Sequence, residues 1–414
     1  MNNTILIKDV LLNGKRQNVL IEGKRFKRIT ESPIEGADKT IDGKRFAMVP
    51  PFYNGHCHAA MVLLRGYADD MPLQKWLNES IWPMEAKLTA DDIYAGSRLA
   101  ILEMIKSGTV FFDDMYWDEQ VTAQAAEEMG IRAAIGVSMM DRQSEEVKSA
   151  NFAKLDSYKA TDRVFYTVAP HAIYTVGTDL LQKCMQSAQK NDLYLNIHLS
   201  ETAAEVEACR QQHNGMSPVA YLDSLGLLTS KTILAHVVHV DASDMSILAR
   251  TKAVCVHNPA SNMKLSSGVF KMKDLQQAGC RIALGTDGAS SNNNLDMLEE
   301  MKIAALLAKC YADPEAGKAV DIFRMATKDG AEAFGIDAGV IAEGKLADAL
   351  LIDMDNEKMV PDYNLISNLV YSADSSCIDT VICNGQVVMQ GHKVPGEDSI
   401  KAAAITTCER LLHS

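Results

Sequence analysis

From Met1 to about Phe46 apolar and polar positions alternate in short runs broken by Asn13-Gly14 and by Glu22-Gly23-Lys24, which is hairpin turn chemistry. The same pattern returns near the C-terminus, where 346–353 and 379–389 read as strands and Asn384-Gly385 supplies a turn. Hairpins of this size are marginal alone. The two ends are therefore expected to pack into one small, discontinuous β-sandwich made of residues 1–50 and 339–414. Between them, over 51–338, strands alternate with helices. A helix opens at Thr89-x-x-Asp92, which has capping-box form, presents Ile93, Gly96, Ala100 and Met104 at helical spacing and stops at Gly108. Apolar strand-like runs follow at 109–112, 132–137, 164–169, 193–197, 232–235, 253–256 and 281–285, and with the Phe46–Tyr53 stretch they make eight. Eight alternations predict an α/β protein built on a TIM-type (β/α)8 barrel, with a doubly wound open sheet as the alternative.

Barrel enzymes gather their chemistry at the C-terminal ends of the strands, and the polar residues of this chain follow that rule. His56 and His58 end the first strand, Asp141 and Arg142 follow the third, and His171 follows the fourth. His198 ends the fifth, His236 the sixth, His257-Asn258 the seventh and Asp287 the eighth. On a strand His56 and His58 project to one side, while Cys57 faces the other. A divalent ion held by His56, His58, His198 and Asp287 would bring the pKa of its bound water to about 7. Asp287 can take the proton of that water, His236 can orient it, and Glu201, three residues past His198, can carry a proton to a ring nitrogen and then to the leaving group. Such ligands suit zinc, and iron or manganese also accept them. Plainer readings stand beside these: Glu201 as a helix-start carboxylate, Asp287 as an Asp-Gly turn, and His236 as a core imidazole.

Composition narrows the function classes. The chain has 414 residues, 47% of them apolar, enough for a large domain and a smaller one. A formal net charge of -13 argues against nucleic acid or an anionic membrane as partner and favours a small-molecule substrate. Nine cysteines, never spaced Cys-x-x-Cys, read as reduced thiols. The N-terminus alternates like a strand instead of carrying a basic region and an apolar core, and no run approaches the roughly 20 apolar residues of a membrane span. A cytoplasmic protein is expected, and a homo-oligomer is compatible with the sequence.

Six segments carry a family likeness: Asn54-Gly55-His56-Cys57-His58, Trp82-Pro83-Met84-Glu85, the stretch Pro170–Thr175, His198-Leu199-Ser200-Glu201-Thr202, and the stretches His257–Leu265 and Gly285–Asn293. Together they resemble the amidohydrolase superfamily, and within it the S-adenosylhomocysteine / 5'-methylthioadenosine deaminases. The likeness runs from Asn3 to about Met389. It implies one divalent metal on His56, His58, His198 and Asp287, with Glu201 and His236 handling protons. It further implies that Trp76 and Glu85 border the ribose, that His171 contacts the purine, that Arg142 meets a substrate carboxylate and that Ser290 is a substrate contact. Trp76 as core and Arg142 as a solvated loop charge are the plain alternatives. Many relatives carry Pro-Gly shortly before the His-x-His pair, where this chain has Pro50-Pro51-Phe52-Tyr53; this alters a turn and removes no ligand. The unrelated deaminases with His-x-Glu and Pro-Cys-x-x-Cys zinc ligands are excluded, since neither spacing occurs. The expected activity is hydrolytic removal of the 6-amino group of an adenine nucleoside or thioether nucleoside. The alternatives are deamination or dechlorination of another heteroaromatic ring (guanine, a pterin, a triazine), or a catalytically silent metal-binding protein.

Overall fold

The computed structural model describes residues 4–413. Five strands come first: β1 (Thr4–Leu12), β2 (Lys15–Glu22), β3 (Arg25–Thr30), β4 (Lys39–Asp42) and β5 (Phe46–Val49). Eight follow: β6 (Phe52–Cys57), β7 (Thr109–Tyr116), β8 (Arg132–Met139), β9 (Val164–Pro170), β10 (Tyr194–Leu199), β11 (Thr232–His236), β12 (Val254–His257) and β13 (Arg281–Leu284). The last three are β14 (Ala349–Asp353), β15 (Ile378–Cys383) and β16 (Gln386–Met389). Residues 1–3, where the sequence reading started its first strand, lie outside the described residues.

The strands from the two ends form one mixed sheet in the order β16-β15-β14-β5-β1-β2-β3, with β4 beside β1. The join is the antiparallel pairing of β5 with β14, in which Val49 faces Leu350 and Phe46 faces Asp353. Its inward side chains, among them Ile7, Val19, Ile21, Phe26, Ile41, Leu351 and Ile382, make a separate apolar core. The expected turns are present, and Asn384 and Gly385 both have positive φ (53° and 72°), as a two-residue hairpin turn of the primed type demands. A Cβ at Gly385 would lie 1.9 Å from the carbonyl oxygen of Gly23, so no other residue fits where the two hairpins touch.

β6 to β13 pair in parallel and in sequence, and helices cover them. The seam between the last and first of these strands is bridged where the amides of Thr286 and Asp287 donate to the His56 carbonyl, at 3.1 and 3.0 Å. This is the TIM-type barrel. The Thr89/Asp92 capping box starts the helix Ala90–Lys106.

Two details differ from the sequence reading. The apolar stretch 46–53 belongs to two sheets, not one strand, because Pro50-Pro51 offers no amide donors and the chain crosses there from β5 to β6. The second barrel strand runs four residues past Phe112, through Asp113 and Asp114, to Tyr116. Those carboxylates are buried and partnered: Asp113 accepts from Asn196 Nδ2 at 2.6 Å, and Asp114 from the Ala59 amide at 2.7 Å.

The barrel floor is tied to the terminal sheet by a buried ion pair between Arg132 on β8 and Asp348 just before β14. Asp348 also accepts from Tyr53 Oη at 2.8 Å and from the Asn384 amide at 2.6 Å. The last helix, Glu397–His413, packs on the barrel helix Ala90–Lys106 through an Arg410–Asp92 pair and a Lys106–Glu397 contact of 3.1 Å. Among the described residues no helix is long and apolar enough to cross a membrane.

Candidate active site

Four side chains converge at the C-terminal mouth of the barrel. His56 is on β6, His58 just past its end, His198 on β10, and Asp287 just beyond β13 in a left-handed conformation (φ 61°). Asp287 Oδ1 lies 3.2 Å from His58 Nε2 and 3.8 Å from His56 Nε2, and His58 Nε2 lies 3.3 Å from His198 Nε2. His56, His58 and His198, and likewise His56, His236 and Asp287, bring their ligand atoms within 4.8 Å of one another.

Hydrogen bonding fixes which atoms face inward. His58 Nδ1 is committed to the Met115 carbonyl at 2.6 Å and His198 Nδ1 to the His171 carbonyl at 2.7 Å, which leaves both Nε2 atoms turned to the centre. His56 is fully buried and neither ring nitrogen has a hydrogen-bond partner. Leaving such groups unpaired is costly. A tetrahedral ion with ligands at 2.0 to 2.1 Å separates them by about 3.3 to 3.4 Å, which matches the His58–His198 and His58–Asp287 spacings. The donor set therefore fits a divalent ion.

Electrostatics agree. Burial, then the positive field of His58, holds His56 well below the ordinary imidazole range, and burial with neighbouring rings does the same for His198. Burial alone would push Asp287 up, but the hydrogen bond and charge of His58 hold it well below the usual carboxylate range. Its other oxygen accepts from Ser261 Oγ at 2.6 Å and Ser291 Oγ at 3.0 Å.

Glu201 and His236 stand beside this set. Glu201 is buried, accepts from Ser267 Oγ at 3.0 Å and lies 3.8 Å from His236 Nε2. His236 has φ 75°, and its Nδ1 is 2.8 Å from Asn262 Oδ1. A donor is required at that contact, so Nδ1 carries a proton and Nε2 is the nitrogen turned to Glu201. Glu201 and Asp287 are thus not the surface carboxylate and simple turn of the plainer readings.

His58, His198, Asp287, Glu201 and His236 line one cavity of about 80 Å³, and His56 is fully buried outside its lining. Trp76 lines it, buried, with its indole N–H donating to the Ala68 carbonyl at 3.0 Å. Glu85 lines it, accepts from Tyr116 Oη at 2.7 Å and is raised to about 7 by burial. His171 lines it, hydrogen-bonded to Thr175 Oγ1 at 2.9 Å and lowered to about 3 by burial and then by the His58 charge. Arg142 is exposed beside the cavity, its guanidinium 4.7 Å from the Trp82 ring centre and 5.9 Å from that of Trp117. Ser290 is buried against Met61 Sδ (3.5 Å) and does not line the cavity; Ser291 does. His257 is stacked on Phe270 at 4.3 Å and Asp141 accepts from the Gly177 amide, both away from the cavity. The sequence reading missed the contribution of Met115, Tyr116 and Trp117, because it ended the second strand too early. It also missed Ser261, Asn262 and Ser267, whose roles depend on contacts across 26 to 66 residues.

The amidohydrolase family model matches residues 47–388. The chain belongs to the amidohydrolase family. It is 45% identical over 386 residues to the 5-methylthioadenosine/S-adenosylhomocysteine deaminase 1 of Archaeoglobus fulgidus, which covers 92% of this chain and 91% of the relative. It is 43% identical to the 5'-deoxyadenosine deaminase of Methanothermobacter thermautotrophicus, over 94% of each chain. Among solved structures, this amidohydrolase superposes with a TM-score of 0.95 on an adenosine deaminase from Xanthomonas campestris with bound zinc, at 30% identity and over 100% of this chain and 99% of that one.

Proposed function

We propose that this amidohydrolase removes the 6-amino group of adenine nucleosides, including those with a 5'-thioether or 5'-deoxy substituent, giving the inosine analogue and ammonia. The observation that carries the reading is the meeting of His56, His58, His198 and Asp287 with Glu201 and His236 at one end of the barrel, where all but the fully buried His56 line the same cavity. The similarity to deaminases of adenine nucleosides supports the choice of ring.

His56, His58, His198 and Asp287 would hold the ion, with zinc favoured by the imidazole-rich donor set and iron or manganese acceptable. When bound, it makes a water acidic enough to be deprotonated near neutral pH. The residues of the chain do the rest. Asp287, beside that position, accepts the proton the water loses as its oxygen bonds to C6. His236, fixed by Asn262, orients the water through Nε2. Glu201 delivers a proton to ring N1, so that charge does not build up on the purine as the C6–O bond forms. Glu201, reprotonated from the new C6 hydroxyl, then protonates the amino group, the C6–N bond breaks and ammonia leaves, and the proton held by Asp287 restores Glu201. Of the two protons of water, one ends on N1 and the other on ammonia. His171 is suited to contact the purine as a neutral ring, and Glu85 to accept hydrogen bonds from ribose hydroxyls.

The chemistry is assigned to residues 51–338, with 1–50 and 339–414 as the supporting unit. We place the protein in the cytoplasm, acting on small molecules and not on nucleic acid. Its nine free cysteines and its acidic excess support this. The test is ammonia release from a nucleoside panel. Replacing Glu201 by Gln keeps shape and removes the transferable proton, so turnover is expected to fall by about 10² to 10⁴ while metal content is kept.

A further inference from the structure

We propose that Glu205 is a positioning residue for Glu201. In sequence, Thr202-x-x-Glu205 has the form of a capping box, in which the glutamate would reach back to the amide of the cap residue. The side chain does something else. Thr202 caps the helix Ala203–Gln212 by accepting from the Glu205 amide at 3.2 Å. The carboxylate of Glu205 passes over the cap and takes the amides of Ser200 and Glu201, one on each oxygen and both at 2.8 Å.

The segment it holds needs holding. Ser200 has a left-handed conformation (φ 53°), which an L-residue adopts at a cost unless its surroundings fix it. Its carbonyl accepts from the amides of Val238 and His239, at 3.0 and 2.9 Å, just past β11. Ser200 is thus gripped from both sides, by Glu205 through its amide and by the β11 loop through its carbonyl. The next residue is the one that must deliver a proton to the substrate ring. Glu205 is itself buried, which is costly for a carboxylate that serves only as a helix cap, because Thr202 already fills that role.

A displacement of about 1 Å at a reacting group costs on the order of 10² in rate. Glu205 therefore acts on turnover through Glu201 and not through substrate binding. This rests on the deaminase reading, so one arm of the test needs no substrate. In Glu205→Gln one of the two accepting oxygens becomes an NH2 group, and hydrogen exchange at the Ser200 and Glu201 amides is expected to speed up by about tenfold or more. Unchanged exchange overturns the proposal whatever the activity is. In the kinetic arm, Glu205→Gln should lower kcat by roughly 10- to 100-fold with KM within about twofold, and in the Glu201→Gln background the same change should add less than about twofold. Equal losses in both backgrounds overturn it. Thr202→Ala is the control: it removes the cap and lowers Tm, but should leave kcat within about threefold. If Glu205→Gln does not fold, Glu205→Asp, which keeps the charge and shortens the reach, is measured in both arms, and protection and turnover equal to wild type overturn the proposal. Absence of ammonia release from the unaltered protein would count against the deaminase reading and leave the exchange result to stand by itself.

Discussion

The Nε2 atoms of His58 and His198 face each other 3.3 Å apart, and neither ring is free to turn away, because each Nδ1 is bound to a main-chain carbonyl. Two inward lone pairs at that distance repel unless a cation or a proton lies between them. Burial opposes a proton on His58, but the hydrogen bond and charge of Asp287 raise its imidazole to about 9. An ion needs the neutral imidazole, so binding expels that proton. Ion affinity should rise about tenfold per pH unit from pH 7 to 9 and flatten above. Titration with zinc at pH 7, 8 and 9 checks this, and a flat affinity over that range would contradict it.

Glu85 sets function against stability. Burial raises its carboxyl from 4.5 to about 7, so the folded protein holds a proton there that the unfolded chain releases. Stability is therefore lost as pH rises from 4.5 to 7, by about 3 kcal/mol in all. Glu85→Gln removes this loss, and it should raise Tm at pH 8 with little effect at pH 4.5. The same change should weaken kcat/KM about tenfold or more, since an amide presents only one acceptor where the carboxylate presents two. Calorimetry at the two pH values and steady-state kinetics check both signs.

Arg142 is an exposed cation stacked over Trp82. Trp82 and Trp117 hold the guanidinium in place near the cavity mouth, so its ordering cost is already met before a ligand arrives. If it reads a substrate carboxylate, Arg142→Ala should lower kcat/KM for S-adenosylhomocysteine by roughly 10- to 100-fold and leave 5'-methylthioadenosine and adenosine unaffected. Equal effects on all three would mean that Arg142 does not contact the tail.

Asp348 joins the two parts of the molecule, and its pairing with Arg132 is buried. Asp348→Asn leaves a guanidinium uncompensated, at a cost of about 3 to 5 kcal/mol. The urea midpoint should fall, while kcat of the folded fraction at low temperature should stay near wild type.

The sequence was most legible where periodicity and chemistry coincide. The hairpin turns at Asn13-Gly14 and Asn384-Gly385, the capped helix at Thr89 and seven of the eight barrel strands follow from local pattern. The strand ends bring His56, His58, His198, His236 and Asp287 together because a barrel sends all its C-terminal ends to one mouth. What escaped depended on partners distant in sequence. Asp113 and Asp114 look like the start of a loop until Asn196 and Ala59 are seen to satisfy them inside the barrel. Ser291 lines the cavity where Ser290 was expected, since a turn decides which of two adjacent hydroxyls faces inward. Phe46 to Tyr53 reads as one apolar run, although its two prolines divide it between two sheets.

The most direct test of the central claim is ammonia release from adenosine, 5'-methylthioadenosine, 5'-deoxyadenosine, S-adenosylhomocysteine, guanine and an aminotriazine, each offered to zinc-loaded and to chelator-stripped protein. The account predicts release from the adenine nucleosides alone, lost on stripping and restored by the ion. Release from guanine or the triazine in preference to every adenine nucleoside, or undiminished release after exhaustive chelation, would contradict it.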